Sequence, residues 1–473
     1  MDGQNHDEQV DFHVDMFGLL YRNFNERYER ITSSDEEVHF SSNSSDDDDR
    51  LLALADVNIN PLYKFSPYVL VKRNLKQRSV LNIPEPRSGH QVIATESNVF
   101  VLGGYNPRTA NAARRQRRRL IFQDLWSFND ATNRWHLVLD ERSSTDMPSD
   151  LTASAFTIWR NGLISYGGTG FPFGESRSND CILYTTGRNP SATRLSVSGD
   201  LPPAVYGAAI AVHDDFLYAI GGTTGYDFYS HVYKLNLKSL VWKVIYASRP
   251  GRHNDPVGRY GHGIVNDGNY LFLLGGGTSQ QICVGFDSIE AFNIKTHCWE
   301  QFYTYPDETP ALYIREITGY PKSRKCFGCA QYTTPNGDVE AVISGGCQAD
   351  SRSFFSDVWK INMRTKQWTL LRTARLPTPI FFHSASCSET GAMYLFGGIS
   401  CGVWSMKRRN ALYKMWVTIP KLSEMCWEAI LFYNKNLASI DRNKLRAAGI
   451  PDQFIARMPS SNAEPVALNF ESE

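Results

Sequence analysis

Few side chains in this sequence are spaced for bond-making chemistry. Cys326-Phe327-Gly328-Cys329 has the spacing of metal and redox pairs, but no second pair and no paired histidines complete a zinc set. The pair stands at the start of an expected inner strand, where buried free thiols are ordinary. No phosphate-cradling glycine loop, nucleophile elbow or acid–base pair is singled out by spacing. The expectation is a non-catalytic protein with no cofactor and no metal. What remains is chemistry suited to recognition. Arginine opens the turns Arg87-Ser88-Gly89-His90 and Arg259-Tyr260-Gly261-His262, and a planar guanidinium fork is well shaped to hold a carboxylate. Six further arginines lie between 108 and 119, but 49 Lys+Arg balance 49 Asp+Glu over the chain. That insert reads as a solvated helical segment attracting acidic partners, not as a nucleic-acid surface.

The elements that must position these residues are repeats. Six apolar runs each end in a glycine pair: Gly103-Gly104, Gly167-Gly168, Gly221-Gly222, Gly275-Gly276, Gly345-Gly346 and Gly397-Gly398. An alternating strand follows each pair (DLWSFN, HVYKLN, IEAFNI, DVWKIN), and four repeats add a strand bearing Trp135, Trp242, Trp299 or Trp368. Four antiparallel strands at this period make one propeller blade. The glycines permit positive φ and close approach near the crowded axis, and the tryptophan packs between blades. Hydrophobic residues make up 42% of the chain, enough to fill such cores. An odd set of nine scattered cysteines and an acidic N-terminus without a leader pattern suggest reduced thiols in the cytoplasm and nucleus. No apolar run reaches the roughly 18 residues of a membrane span.

The repeats resemble kelch repeats over about three quarters of the chain. The fold class expected is all-β: a six-bladed kelch β-propeller over 59–415 with a short C-terminal helical segment over 416–458. Residues 1–58, acidic and Ser/Asp-rich around 33–50, are expected to be mostly disordered, as is the tail 459–473. A stretch with Phe17, Leu20, Phe24 and Tyr28 has helical spacing. The second repeat lacks its tryptophan, and the sixth runs from Met415 into Trp416 and Pro420 with no room for a fourth strand. An open edge must be closed, and Tyr68-Val69-Leu70-Val71-Lys72 is the segment expected to close it.

After Pro420 the periodicity becomes helical. Leu422, Cys426 and Ile430 stand four apart, a second stretch runs from Ser439 to Ala448, and a third begins at Pro451. Leu422-x-x-x-Cys426-x-x-x-Ile430 resembles the BC box that binds Elongin C, although Lys421 stands where Ser, Thr or Pro usually precedes the leucine. Ile450, Pro451, Phe454 and Met458 resemble the downstream cullin-2 box. Repeats followed by both boxes resemble the kelch-repeat substrate receptors of cullin-2 RING ubiquitin ligases. That resemblance implies Elongin B/C and cullin-2 with its RING subunit as partners, and recognition of C-terminal degrons ending in glycine or alanine. The other reading is a kelch scaffold for actin or a signalling enzyme, with the helices only capping the ring. Strand direction puts the loops after the glycine pairs and before the Arg-x-Gly-His turns on one face. The degron candidates there are Arg87, Tyr226, Arg259, Tyr260, Arg324, Lys325 and Trp404, alongside Phe171, Phe173, Phe228, Tyr229 and Arg352. Arg87 and Arg259 are the preferred carboxylate anchors, with hydrogen-bonded bracing of neighbouring blades as the alternative. His90 and His262 are read as structural.

Overall fold

The computed structural model describes residues 62–73, 82–107, 120–249, 255–309, 319–348, 353–402 and 405–459. The early helix, the acidic stretch, the arginine insert, Arg352, Trp404 and most of the tail lie outside them. The fold below is that of the unit Ser66–Glu473; of the separate unit Met1–Phe65 only 62–65 are described.

Among the described residues six blade sheets follow one another along the chain, with a seventh, three-stranded sheet formed by Ile380–Phe381, Ile399–Cys401 and Met406–Arg408. Blade 1 is built of Gln91–Ala94, Asn98–Leu102, Asp124–Asn129 and Arg134–Asp140. Blade 4 repeats the plan with Gly263–Asn266, Tyr270–Leu274, Ser288–Asn293 and Trp299–Tyr303. In each, the second strand is the most buried, so it reads as a continuous apolar run and not as an alternation. Blade 2 obtains its fourth strand without a tryptophan, from Ser191–Arg194. Blade 3 carries an added parallel strand, Ser198–Gly199, on its outer edge. Blade 6 consists of Ser384–Cys387, Ala392–Phe396 and Leu412–Trp416, and its fourth strand is Val71–Lys72 from before the first repeat. That strand pairs Val71 with Lys414 and Lys72 with Tyr413, extended by Tyr68 N–H to the Trp416 carbonyl at 2.8 Å.

Tryptophans join blade to preceding blade. Trp242 meets Tyr166 at 5.8 Å, Trp368 meets Phe286 at 5.4 Å, and Trp135 meets Phe396 of blade 6 at 5.2 Å, across the closing seam. His262 shows why the glycines come in pairs. A Cβ on Gly221 of the preceding blade would stand 2.7 Å from its ring, and one on Gly276 of its own blade 2.8 Å from its Cβ.

At the axis the six blades are tied directly to one another. Gly89 N–H donates to the Phe382 carbonyl, Ala153 to Gly89, Gly207 to Ala153, Gly261 to Gly207, Cys326 to Gly261 and Phe382 to Cys326, at 2.7–3.0 Å. All six residues have φ between 52° and 67°. This left-handed conformation turns each chain into its first strand and aims the N–H along the circumference. Only three of the six are glycine, so Ala153, Cys326 and Phe382 hold a conformation that a side chain disfavours.

Three short helices end the described chain: α1 (Leu422–Tyr433), α2 (Arg442–Ala447) and α3 (Asp452–Ala456). The Asp441 carboxylate caps α2 by accepting from Asn443 and Lys444 N–H. Pro451 precedes α3 as its cap residue instead of opening its first turn.

Candidate functional site

Each first strand leaves the rim turn, and each second strand returns to the glycine pair. The loops that follow the pairs and the rim turns therefore share one face. Their backbones pair in every blade: Ser88 with Tyr105, Thr152 with Thr169, Tyr206 with Thr223, Tyr260 with Gly277, Lys325 with Cys347, and Phe381 with Ile399. The ring of six hydrogen bonds forms the floor beneath.

The preferred anchors Arg87 and Arg259, and with them Arg324, are corrected by their surroundings. They are 1%, 0% and 0% exposed, and their guanidiniums are turned into the blades toward carboxylates. Arg87 makes a bidentate pair with Asp124 at 2.6 and 3.1 Å, and Arg324 with Asp357 at 2.5 and 2.9 Å; Arg259 pairs with Glu290 at 3.1 Å. In each case Nε donates to a carbonyl two residues back, and Nη1 to the first glycine of the pair. Phe122 and Phe355 lie 4.1 and 3.9 Å under the Arg87 and Arg324 guanidiniums. Trp126 and Trp359 donate to the same two carboxylates. These arginines clamp the entry turn to the third strand of their own blade, a structural role that differs from the bracing of neighbouring blades expected as the alternative. Their motif invites the anchor reading because a buried brace and a ligand anchor use the same fork.

Other residues singled out from the sequence do meet at the rim. Lys325 Nζ lies 2.5 Å from the Tyr260 hydroxyl and 4.7 Å from its ring. Phe228 packs edge-on to Tyr260 at 5.6 Å. Across the rim Tyr105 stacks on Phe171 at 5.5 Å and meets Phe173 at 4.9 Å. Tyr226 is 69% exposed. Tyr229 stands beside His231 at 5.3 Å, back toward the sheet. Arg408 is a rim residue that repeat reasoning misses. It sits 4.8 Å over the Tyr105 ring and donates to Ser88 Oγ at 2.9 Å. It belongs to a hairpin, Ile399–Cys401 with Met406–Arg408, where the described loops of the other blades close with single antiparallel bridges. The basic pair Lys407-Arg408 between two strand-like runs was its only signal.

The opposite face carries the helices. Glu96, in the turn between the first two strands of blade 1, and Asn129, at the end of its third strand, both lie there by connectivity. Arg457 joins Glu424 at 2.7 and 2.8 Å and Glu96 at 2.9 Å, and its carbonyl accepts from Asn129. Glu428 of α1 bonds Lys414 at 2.5 Å and Trp416 Nε1 at 2.9 Å. Lys414 also pairs with Asp130, whose carboxyl, though opposed by burial, is held down at about 2 by Arg73 and Lys414. The face of α1 holding Glu424, Trp427 and Glu428 is thus fixed to the seam of blades 1 and 6.

The other face of α1 points outward. Leu422 is 74% exposed, Cys426 is exposed, and Ile430 is half-buried. The downstream box is divided. Pro451 is exposed and Ile450 half-buried, but Phe454 and Met458 pack with Trp427, Leu437, Leu445 and Ile455. Phe454 stacks on Trp427 at 5.2 Å. Their spacing of four is accounted for by this internal core, a correction to their reading as contacts for cullin-2.

Among known proteins, a family model described as KLHDC2/KLHL20/DRC7 Kelch-repeats domain matches residues 58–276 and 192–328. A Kelch domain-containing protein 10 homolog of Drosophila melanogaster is 50% identical over 403 residues, covering 84% of this chain and 66% of its own length. Kelch domain-containing protein 10 of Rattus norvegicus is 34% identical over 380 residues, or 79% of this chain and 86% of the relative. The Homo sapiens protein of that name is likewise 34% identical over 380 residues, or 79% and 80%. With six closed blades and these matches along most of its length, the chain belongs to the kelch-repeat family of Kelch domain-containing protein 10.

Proposed function

We propose that this protein is a substrate receptor of a cullin-2–Elongin B/C ubiquitin ligase. The loop face takes a C-terminal degron, and α1 offers its outer stripe to Elongin C. The observation that carries the reading is the exposed Leu422/Cys426 stripe on a helix whose other face is locked to the ring. A helix serving only as a cap would turn its apolar residues inward; this one leaves a leucine and a small cysteine out, as a helix-in-groove contact requires. Arg408, half-buried beside Ser88 and Tyr105, is the rim cation that would meet the degron carboxylate, whereas Lys325 is 2% exposed and held by the Tyr260 hydroxyl. The protein itself performs no chemistry; it raises the substrate's effective concentration at the ligase. Nothing in the geometry singles out the alternative of an actin or enzyme scaffold.

Full-length chain with Leu422→Arg and Cys426→Arg should lose Elongin C in co-purification while keeping the melting temperature of the wild type, since both side chains face outward. Equal recovery of Elongin C by the double variant sinks the ligase reading.

A further inference from the structure

Four of the nine cysteines converge on the loop face, in three neighbouring blades. Cys283, Cys347 and Cys401 lie in the loops that follow the glycine pairs of blades 4, 5 and 6, and Cys326 holds the floor position of blade 5. Cys347 exchanges both backbone hydrogen bonds with Lys325, the residue next to Cys326, at 2.9 and 3.0 Å. Cys283 Sγ is 3.9 Å from the Cys347 carbonyl. Cys326 and Cys347 share one buried cluster with Tyr260 and Phe381, and Cys401 packs against it. Cys329 packs instead in the core of blades 4 and 5. The close pair in the sequence is therefore split, and Cys326 is joined to a thiol twenty-one residues away.

Burial alone makes thiols inert, as at Cys181 and Cys329, each pushed up to about 12. Cys347 departs from that pattern. Its thiol is drawn below the usual range by a hydrogen bond from Cys326 and by the Lys325 and Arg324 cations, against the opposing effect of burial. Cys326 is raised by burial and by the neighbouring Cys347 sulfur. A thiol that is lowered beside one that is raised is the division of labour that disulfide formation uses.

We propose that Cys347 and Cys326 form a reversible oxidation site at the rim of the loop face, closing to a disulfide when a hydroperoxide reaches it. The Cys347 thiolate attacks the peroxide oxygen; the O–O bond breaks, and an alcohol (water, from hydrogen peroxide) leaves after protonation. The resulting sulfenic acid is attacked by Cys326 sulfur, the S–S bond forms, and water departs with the Cys326 proton. In sum two thiols and one hydroperoxide give a disulfide, water and an alcohol. The bond would fasten the turn entering blade 5 to the loop leaving its second strand, and remove the free thiol beside Lys325. The site stands independently of the ligase reading.

The test exposes reduced full-length chain to hydrogen peroxide, alkylates free thiols, and maps peptides by mass spectrometry without reduction. The expected result is a Cys326–Cys347 linked peptide that dithiothreitol returns to two alkylatable thiols. Cys347→Ser should abolish the link and leave Cys326 alkylated. Cys326→Ser should leave a dimedone-reactive sulfenic acid at Cys347, so either variant suffices if the other fails to fold. The proposal is overturned if both thiols remain alkylatable at a dose that oxidises exposed Cys298 and Cys426. It is equally overturned if Cys347 links to Cys283 or Cys401 instead.

Discussion

His90, His262 and His383 each follow a floor residue and turn their rings toward the preceding blade. His90 Nε2 stands 3.0 Å from the Phe396 carbonyl and His383 Nε2 2.9 Å from Ser344 Oγ, while His262 faces the Ile220 carbonyl. Burial lowers all three, to about 3 for His90 and His262 and about 4 for His383, with Arg87 and Arg259 adding to the first two. These rings are neutral seam pieces. Below about pH 6.5 the unfolded chain binds protons that the folded ring refuses. Stability is therefore full above that pH and falls as pH drops toward 4, each ring contributing up to about 1.4 kcal/mol per pH unit. Melting temperatures measured from pH 7.5 to 4.5 should decline over that window, and His383→Asn should decline less steeply. A flat profile would mean that the rings are not buried neutral.

At the level of elements, the floor turns and the closing strand hold the ring together. Ala153 carries a side chain at φ 52° in a circle where Gly89, Gly207 and Gly261 do the same work without one. Ala153→Gly should therefore stabilise the protein by about 1 kcal/mol in urea unfolding, the reverse of the usual cost of glycine in a sheet. Deleting residues 62–73 removes the outer strand of blade 6 and frees the row of groups on Leu412–Trp416, so the ring should lose its cooperative transition. A melting curve unchanged by the deletion would show closure by other means. Much of this was legible in the sequence, because glycine pairs, alternating strands and tryptophans are local signals. A circle of αL turns half built from Ala, Cys and Phe was not, since only the ring geometry reveals what those positions share. The site was harder to read for the same reason. Arg87 and Arg324 are matched to Asp124 and Asp357, more than thirty residues on, and no local pattern tells such a pair from a free anchor. Leu422 and Phe454 look alike as helical apolar residues; tertiary packing alone separates the exposed one from the buried one.

The molecule as a whole presents two working faces on one rigid ring. Rim loops with Lys325, Tyr260 and Arg408 lie on one side, and α1, clamped through Arg457, Glu424, Glu428 and Lys414, lies on the other. The proposed receptor role needs this separation, because its two partners would have to be held at once without competing. The most direct measurement immobilises a peptide ending in a free glycine carboxylate and asks whether Elongin C is retained from a mixture with the full-length chain and Elongin B. Retention is expected only when the chain is present, with loss when the peptide is C-terminally amidated or when Arg408→Ala removes a rim cation. Desolvated carboxylate pairs of this kind carry about 2–5 kcal/mol. Equal retention on free and amidated peptide, or retention of the chain without Elongin C, would contradict it.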